Sequence, residues 1–252
     1  MRLTVLGGCG PWPEADQACS GFLVEHAGFN LLMDLGYATL PRLLAILDAE
    51  LVDAVVITHG HPDHCVDLNP LLRARVLGEV AARPLPLYAL PGALDRVLAL
   101  DRPGMLSDGY SLREFVAGDR LQLGPFTVDS RSLPHSVPNA GLRLSAGGTT
   151  LTYTGDSGPS SDIVELASGA DLLLHEATFI DRVSSGDELH LSSARDAGEH
   201  AVTANVARLV LTHLSPGTDP IAAHRSAAQS FAGPIDVARC GFVVELSDGG
   251  IQ

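Results

Sequence analysis

The chain has 252 residues, of which 46% are hydrophobic and 18% are charged, so it is long enough to bury a sizeable core. Its formal net charge is −14 and all 16 basic residues are arginine, which argues against a surface built to hold nucleic-acid phosphates. No apolar run approaches the length of a membrane span, and the N-terminus has no signal-peptide pattern. We therefore expect a soluble, cytoplasmic protein with no membrane partner.

Predicted strands and helices alternate along the chain. Apolar, β-branched runs bounded by turn residues predict strands at Leu3–Leu6, Gly21–Glu25, Asn30–Met33, Asp53–Ile57, Leu85–Ala89, Phe126–Leu133, Gly141–Ala146, Thr149–Tyr153, Asp171–Leu174 and Arg208–Thr212, with two more at the end of the chain. Helical spacing predicts helices at Thr39–Asp48, Val66–Val76, Pro91–Leu100, Asp162–Ser168, Ser192–Val206 and Ile221–Phe231. No linker or low-complexity segment divides the chain, so we expect one α/β domain over residues 1–252.

Two segments carry more specific expectations. In Val66–Val76, the spacing of Leu and Val places Arg73 and Arg75 toward solvent. The stretch Arg102–Gly124 is rich in Gly, Asp and Ser, and we expect it to cover the functional site as a loop and hairpin.

Three histidines and an aspartate fall within Thr58–His64, a loop that directly follows a predicted buried strand. Imidazole nitrogen and carboxylate oxygen are ligands that borderline ions such as zinc accept. His59 and His61 are two residues apart and can point at one ion, which leaves Asp63 and His64 to reach another. The spacing predicts a metal site rather than a polar surface loop.

The same construction, a β-type run that ends at a candidate ligand, recurs along the chain. The residues that follow such runs are His59, His135, Asp156, Glu176 and His213. Strand ends that gather on one rim of a sheet bring loop side chains together, and rigid strands hold them well. A single histidine such as His135 or His213 would more often be a satisfied polar residue, but the repeated pattern favours ligands.

These motifs resemble the signature of the metallo-β-lactamase superfamily. The matching residues are His59, His61, Asp63, His64, His135, Asp156 and His213, with the segments Thr4–Gly7 and Leu31–Gly36. The resemblance implies an αβ/βα four-layer sandwich with two metal ions, two Zn²⁺ with Mn²⁺ as the alternative. Carried over, the ligands of the first ion are His59, His61 and His135. Those of the second are Asp63, His64 and His213, and the bridging ligand is Asp156.

Two further segments, His175–Phe179 and His190–Ala194, are similar to segments of ribonuclease Z, a branch of that superfamily. In that branch the glutamate orients the histidine, which protonates the leaving oxygen. The resemblance implies these catalytic roles for Glu176 and His190. The alternative is that Glu176 caps a loop and that His190 only starts the Ser192–Val206 helix.

The chain departs from ribonuclease Z in the features that hold tRNA. Only twenty residues separate His135 from Asp156, where that family carries a long tRNA-binding arm. The family's basic loop after the first strand is replaced by the acidic segment Pro11–Gln17. The chain is therefore more similar to short, arm-less relatives, some of which are cyclic-nucleotide phosphodiesterases.

We expect a metal-dependent hydrolase that cleaves a small phosphodiester rather than structured RNA, with a 3′,5′-cyclic nucleotide (cAMP) as the leading candidate. Asp63 would bind metal and hold the attacking hydroxide in line with phosphorus, and His190 would protonate the leaving oxygen. The alternatives are a ribonuclease Z-type tRNA 3′-processing endonuclease and a non-catalytic metal-binding scaffold. The complete ligand set argues against the scaffold. We also expect a homodimer.

Overall fold

In the computed structural model, which describes residues 1–80, 82–247 and 250–251, the strands form two mixed β-sheets. The strands are β1 (Arg2–Gly7), β2 (Gly21–His26), β3 (Phe29–Leu35), β4 (Ala54–Val56), β5 (Leu85–Ala89), β6 (Tyr110–Glu114), β7 (Arg120–Leu123), β8 (Phe126–Leu133), β9 (Asn139–Ala146), β10 (Thr149–Tyr153), β11 (Leu172–Glu176), β12 (Leu209–Thr212), β13 (Ile235–Val237), β14 (Val243–Ser247) and β15 (Gly250–Ile251). Among these residues the first sheet has eight strands in the order β15-β14-β1-β2-β3-β4-β5-β6. The second sheet has seven strands in the order β13-β12-β11-β10-β9-β8-β7.

The helices are short. They are α1 (Thr39–Leu44), α2 (Pro62–Cys65), α3 (Leu68–Leu77), α4 (Asp95–Leu98), α5 (Ser161–Ala167), α6 (Ala194–Thr203) and α7 (Pro220–Ala227), with 3-10 turns at Ala49–Leu51 and Ser107–Gly109. None of the helices in the described part of the chain is long and apolar enough to cross a membrane.

Three buried apolar clusters show how the layers pack. The cluster between the sheets contains Phe22 on β2 and Tyr153 on β10. Their rings pack edge to face, with centroids 5.0 Å apart. A second cluster joins the other face of the first sheet to α1–α4 and includes Leu43 and Leu71. A third joins the second sheet to α5–α7 through small side chains such as Ala197. The order helix, sheet, sheet, helix confirms the predicted αβ/βα four-layer sandwich.

Strand β3 shows why the apolar runs of this chain are continuous. Leu31 and Met33 lie between the sheets, whereas Leu32 packs beneath the helices. Successive side chains point to opposite faces of a strand, so a strand covered on both faces needs apolar residues throughout. Asp34 then interrupts the alternation with a φ of 56°, and Leu35 lies with Leu32 beneath the helices.

The predicted ligands follow strands whose carboxyl ends share one rim. Strands β3, β4 and β5 run parallel in the first sheet, and β10, β11 and β12 run parallel in the second. Strands β8 and β10 are both antiparallel to β9, so β8 ends on the same rim as β10. A hydrogen bond of 3.1 Å from Ala140 N to Thr58 O links the two sheets there. The loops that leave the two sheets can therefore converge.

Five of the six predicted helices end one to four residues earlier in the structure, and one arginine predicted at the surface is buried. Helix α1 stops at Leu44, and only Asp95–Leu98 of the predicted helix at residues 91–100 is helical, because packing rather than propensity sets the ends of short helices.

Arg75 is 3% exposed, so the prediction that it faces solvent is wrong. Its guanidinium donates to the carbonyl oxygens of Ala49 and Val52 in the loop that packs over α3.

The expected hairpin within Arg102–Gly124 is also wrong, because its two strands belong to different sheets. Strand β6 pairs with β5 in the first sheet, and β7 pairs with β8 in the second. Between them, Phe115 is buried in the cluster that lies between the sheets. The chain crosses from one sheet to the other here instead of turning back on itself.

Candidate metal centre

The histidine-rich segment after β4 forms a tight turn into α2. Pro62 occupies the first helical position, where its fixed φ and missing N–H suit a helix start. Two glycines permit close backbone approach. A Cβ atom on Gly60 would lie 2.6 Å from the carbonyl oxygen of Ala93, and one on Gly36 would lie 1.8 Å from that of Asp63. Larger residues at these positions would displace the loop.

The structure brings together all seven residues predicted as ligands, in two groups that could each hold a metal ion. The first group is His59, His61, His135 and Asp156. The second group is Asp63, His64, His213 and Asp156. Within each group the ligand atoms lie within 4.8 Å of one another, and Asp156 belongs to both. The division into two sets with a shared carboxylate is the one expected from the sequence.

The donor atoms of this cluster fit a divalent cation. Nε2 of His59 is buried without a hydrogen-bond partner among the described residues, and Asp156 Oδ2 lies 3.9 Å from it. Nε2 of His64 lies 3.2 Å from Asp156 Oδ1, but neither atom has a hydrogen bond of acceptable geometry to any residue that the structure describes. Buried polar atoms are normally paired, so these nitrogen and oxygen atoms are suited to a metal ligand role.

The electrostatics of the cluster favour the ligand forms of two key residues. Burial, followed by the neighbouring His64, lowers the pKa of His59 well below its usual range, so its imidazole is neutral. Burial opposes ionisation of Asp156, but His213 and His64 outweigh it and hold the pKa of that carboxyl well below its usual range. Metal binding requires a neutral imidazole and an ionised carboxylate, and the pKa values of His59 and Asp156 are shifted in those directions.

Asp34 fixes the orientation of the His64 ring through a contact with its Nδ1 atom. It is fully buried, and its carboxylate accepts hydrogen bonds from Thr58 N (2.8 Å), Thr58 Oγ1 (2.8 Å) and the Tyr153 hydroxyl (2.9 Å). Its Oδ2 also lies 2.7 Å from His64 Nδ1, which leaves Nε2 of that ring toward the cluster. Such contacts orient ligand rings and raise their basicity. The role of Asp34 was not predicted from the sequence.

His190 lies beside His135, which belongs to the first ligand group. His135 Nδ1 lies 2.8 Å from the carbonyl oxygen of His190, so the backbone of the loop before α6 positions this ring. The two imidazole centroids are 6.5 Å apart, and His190 Nδ1 is buried with no hydrogen-bond partner in the part of the chain that the structure describes. The side chain of His190 is thus placed next to the candidate metal site, at half-burial.

Glu176 is fully buried at the end of β11, and its carboxylate has four hydrogen-bond donors. Its carboxylate accepts hydrogen bonds from Ser157 N, Ser192 N, Thr178 N and the Thr178 hydroxyl. Burial, and then the charge of Asp156, raises the pKa of Glu176 to about 8. No hydrogen bond joins Glu176 to His190 in the described part of the chain, and the orientation of His190 by Glu176 stays a prediction. The four donors occupy the carboxylate, while the ring of His190 lies beside His135.

The alternative readings of these two residues have different outcomes. The backbone bonds of Glu176 agree with a loop-capping role, as the alternative expected. His190 does not start a helix, because α6 begins at Ala194 with Ser193 as its N-cap. Ser193 and Asp196 form a reciprocal capping box, which satisfies the first backbone donors of α6 without any contribution from His190.

Comparison with known proteins agrees with this architecture. The family model described as "Beta-lactamase superfamily domain" matches residues 23–214. YhfI of Bacillus subtilis, named a probable metallo-hydrolase, is 32% identical over 251 residues, 97% of this chain and 100% of the relative. The crystal structure of YhfI matches with a TM-score of 0.89 and 30% identity, over 96% of this chain and 98% of that one.

A second relative comes from the branch whose motifs the sequence resembles. A ribonuclease Z of Mycobacterium bovis is 29% identical over 267 residues, which cover 94% of this chain and 95% of the relative. The matched family region contains every residue of both metal-ligand groups. The chain therefore belongs to the beta-lactamase superfamily, as a metal-dependent hydrolase with the metallo-β-lactamase fold and relatives in the ribonuclease Z branch.

Proposed function

We propose that the protein is a dinuclear metal-dependent phosphodiesterase that hydrolyses a small phosphodiester, with a 3′,5′-cyclic nucleotide such as cAMP as the leading candidate. The observation that carries the proposal is the sharing of Asp156 by two ligand groups. A carboxylate common to two groups can hold two cations side by side, an arrangement that recurs in phosphoester hydrolases. Zinc suits the nitrogen and oxygen donors, and manganese is the alternative.

When bound, the two ions would polarise the phosphoryl oxygens and supply a nucleophile from water at neutral pH. Asp63 is 8% exposed, and its Oδ2 lies 3.2 Å from His213 Nε2 in the second group. We assign it the binding of an ion and the alignment of the attacking water with phosphorus. His190, beside His135 in the first group, is the candidate donor of a proton to the leaving oxygen.

The small-substrate part of the proposal is supported by what lies between His135 and Asp156. Strands β9 and β10 and their connecting turn take up nearly all of this segment, which leaves no room for a long arm.

Some of the arginines that could hold RNA phosphates form salt bridges with carboxylates. The paired arginines are Arg2, Arg73, Arg83, Arg120, Arg131, Arg195 and Arg208. A paired arginine on a surface of net charge −14 offers little to a polyanion.

A second candidate function is tRNA 3′-end processing. It is favoured by the ribonuclease Z relative, which matches over 95% of its own length. Releasing a tRNA 3′ trailer and opening a 3′,5′-cyclic phosphate both break the bond to a 3′ oxygen, so one centre could serve either reaction. The two functions differ in how the substrate is held, and substrate binding therefore separates them.

We expect two metal ions per chain. Elemental analysis of the purified protein should give a stoichiometry near two, and Asp63→Ala should lower both the metal content and the turnover, because the second group loses a carboxylate. His224→Ala removes an exposed histidine and serves as the matched control. A stoichiometry near one, with Asp63→Ala unchanged in metal content and activity, would contradict the dinuclear proposal.

We expect substrate size to discriminate between the two functions. Bis(p-nitrophenyl) phosphate and at least one cyclic nucleotide should be hydrolysed, whereas precursor tRNA should bind weakly. Turnover of a cyclic-nucleotide panel, with filter binding of precursor tRNA at several salt concentrations, measures both. Tight tRNA binding that weakens steeply with salt, together with correct 3′ trimming, would overturn the small-substrate proposal.

A further inference from the structure

Thr178 connects Glu176 to His213. Its Oγ1 lies 2.9 Å from Glu176 Oε2 and 3.0 Å from His213 Nδ1. The other nitrogen of the ring, Nε2, lies 3.2 Å from Oδ2 of both Asp63 and Asp156. All these side chains are buried. A continuous path of hydrogen bonds therefore runs from a carboxylate in the second sheet to the second ligand group.

The direction of the hydrogen bonds along this path follows from the ligand form of His213. A metal ion on Nε2 requires the lone pair there, which places the ring proton on Nδ1. Nδ1–H then donates to Thr178 Oγ1, and the single hydroxyl hydrogen of Thr178 donates to Glu176. The other donors to Glu176 are backbone N–H groups of Ser157, Ser192 and Thr178, which can only donate.

We propose, as a step that rests on the proposed function, that Thr178 is a positioning residue for the second metal ion. Backed by Glu176, it holds His213 in the tautomer and orientation that present Nε2 to the ion. His64 differs, because its Nδ1 meets the carboxylate of Asp34 directly. The Nδ1 atom of His213 instead contacts the hydroxyl of Thr178, which in turn contacts the Glu176 carboxylate, so this hydroxyl orients the Nδ1 side of the ring.

The backbone around His213 is held independently of that hydroxyl. His213 has a φ of 56°, in the left-handed region, and such a conformation persists only when neighbouring contacts hold it. Ser215 Oγ donates to the carbonyl oxygen of Thr178 at 2.8 Å, and Ala177 N donates to that of Thr212 at 2.8 Å. Removal of the Thr178 hydroxyl alone should therefore leave the chain folded and release only the ring.

The test compares three threonine variants by metal affinity. Thr178→Val removes the hydroxyl at nearly constant volume, and Thr178→Ser keeps it. Thr212→Val is the matched control, since Thr212 is buried next to His213 and its hydroxyl has no hydrogen-bond partner within residues 1–80, 82–247 and 250–251. Each protein is stripped of metal, titrated with Zn²⁺ against a chromophoric chelator, and loaded with Co²⁺ to record the absorption spectrum.

We expect Thr178→Val to bind one of its two ions about 10- to 100-fold more weakly. This is the range found when a residue that hydrogen-bonds to a metal ligand is replaced. The other ion should bind as in the wild type, and the Co²⁺ spectrum should change for one site only. Thr178→Ser should restore the affinity, and Thr212→Val should match the wild type. If Thr178→Val fails to fold, Thr178→Ala carries the same expectation.

Two results would overturn this role of Thr178. One is wild-type affinity for both ions in Thr178→Val, and the other is an equal loss in Thr212→Val, which would indicate disturbed packing. Failure of the proposed function is recognised separately, because the wild-type protein would then bind fewer than two ions before any variant is compared.

Discussion

Replacing Asp156 with alanine is expected to abolish retention of both metal ions and to lower kcat/KM on bis(p-nitrophenyl) phosphate by about 10³-fold or more. Asp156 is the one residue common to the two ligand groups, so a single substitution weakens both. Its carboxylate is also the charge that His64 and His213 face at 3.2 Å. Without it, five imidazoles remain around a centre in which Asp63 is the one remaining carboxylate of the two groups.

The fold should survive this change because the loop is held by other contacts. Asn139 Nδ2 donates to the carbonyl oxygens of Thr154 and Asp156 at 3.0 and 2.7 Å, and neither bond uses the carboxylate. Asp108→Ala, which removes an exposed carboxylate, is the matched control. Metal analysis and circular dichroism should show a folded, metal-poor Asp156→Ala protein. Full retention of both ions would show that Asp156 bridges nothing.

Four of the seven candidate ligands could be predicted because they follow recognisable strands, and the other three lie in the histidine-rich loop that follows the first of these strands. His59 comes after an apolar β-branched run, and His213 comes after a similar one. Parallel strands of one sheet place their carboxyl ends together, but His59 follows β4 in the first sheet and His213 follows β12 in the second, so their meeting also depends on how the two sheets pack. The four-layer architecture follows from the same pattern, because strands that are apolar on both faces require cover on both sides.

The hydrogen bonds that orient the ligand side chains could not be predicted, since they join residues far apart in the chain. Asp34 and Tyr153 are 119 positions apart, and their hydrogen bond depends on how the two sheets face each other. Thr178 and His213 are 35 positions apart and meet only because β11 and β12 are neighbours. The motif His175–Phe179 predicted that Glu176 lies at the end of a strand. It did not predict which loops would donate hydrogen bonds to the Glu176 carboxylate.

Replacing His190 with alanine tests the chemical step rather than metal binding. The His190 carbonyl oxygen, which accepts from His135, is part of the backbone and stays in place. The metal content should therefore hold, while kcat on a cyclic nucleotide should fall by roughly 10²- to 10⁴-fold, because an alkoxide leaving group needs a proton. A p-nitrophenyl ester should be affected far less, since that leaving group departs without one.

Glu176→Gln should behave differently from His190→Ala, because the hydrogen bonds of Glu176 lead through Thr178 to His213. We expect it to weaken metal retention and to lower turnover of alkyl and nitrophenyl substrates alike. Residues that act as one unit show overlapping losses, whereas these two should show nearly additive losses in the double mutant. Stopped-flow turnover of both substrates, with metal content recorded for each variant, measures this contrast. Equal losses on the two substrates in His190→Ala would remove His190 from the role of proton donor and leave the proton to come from solvent.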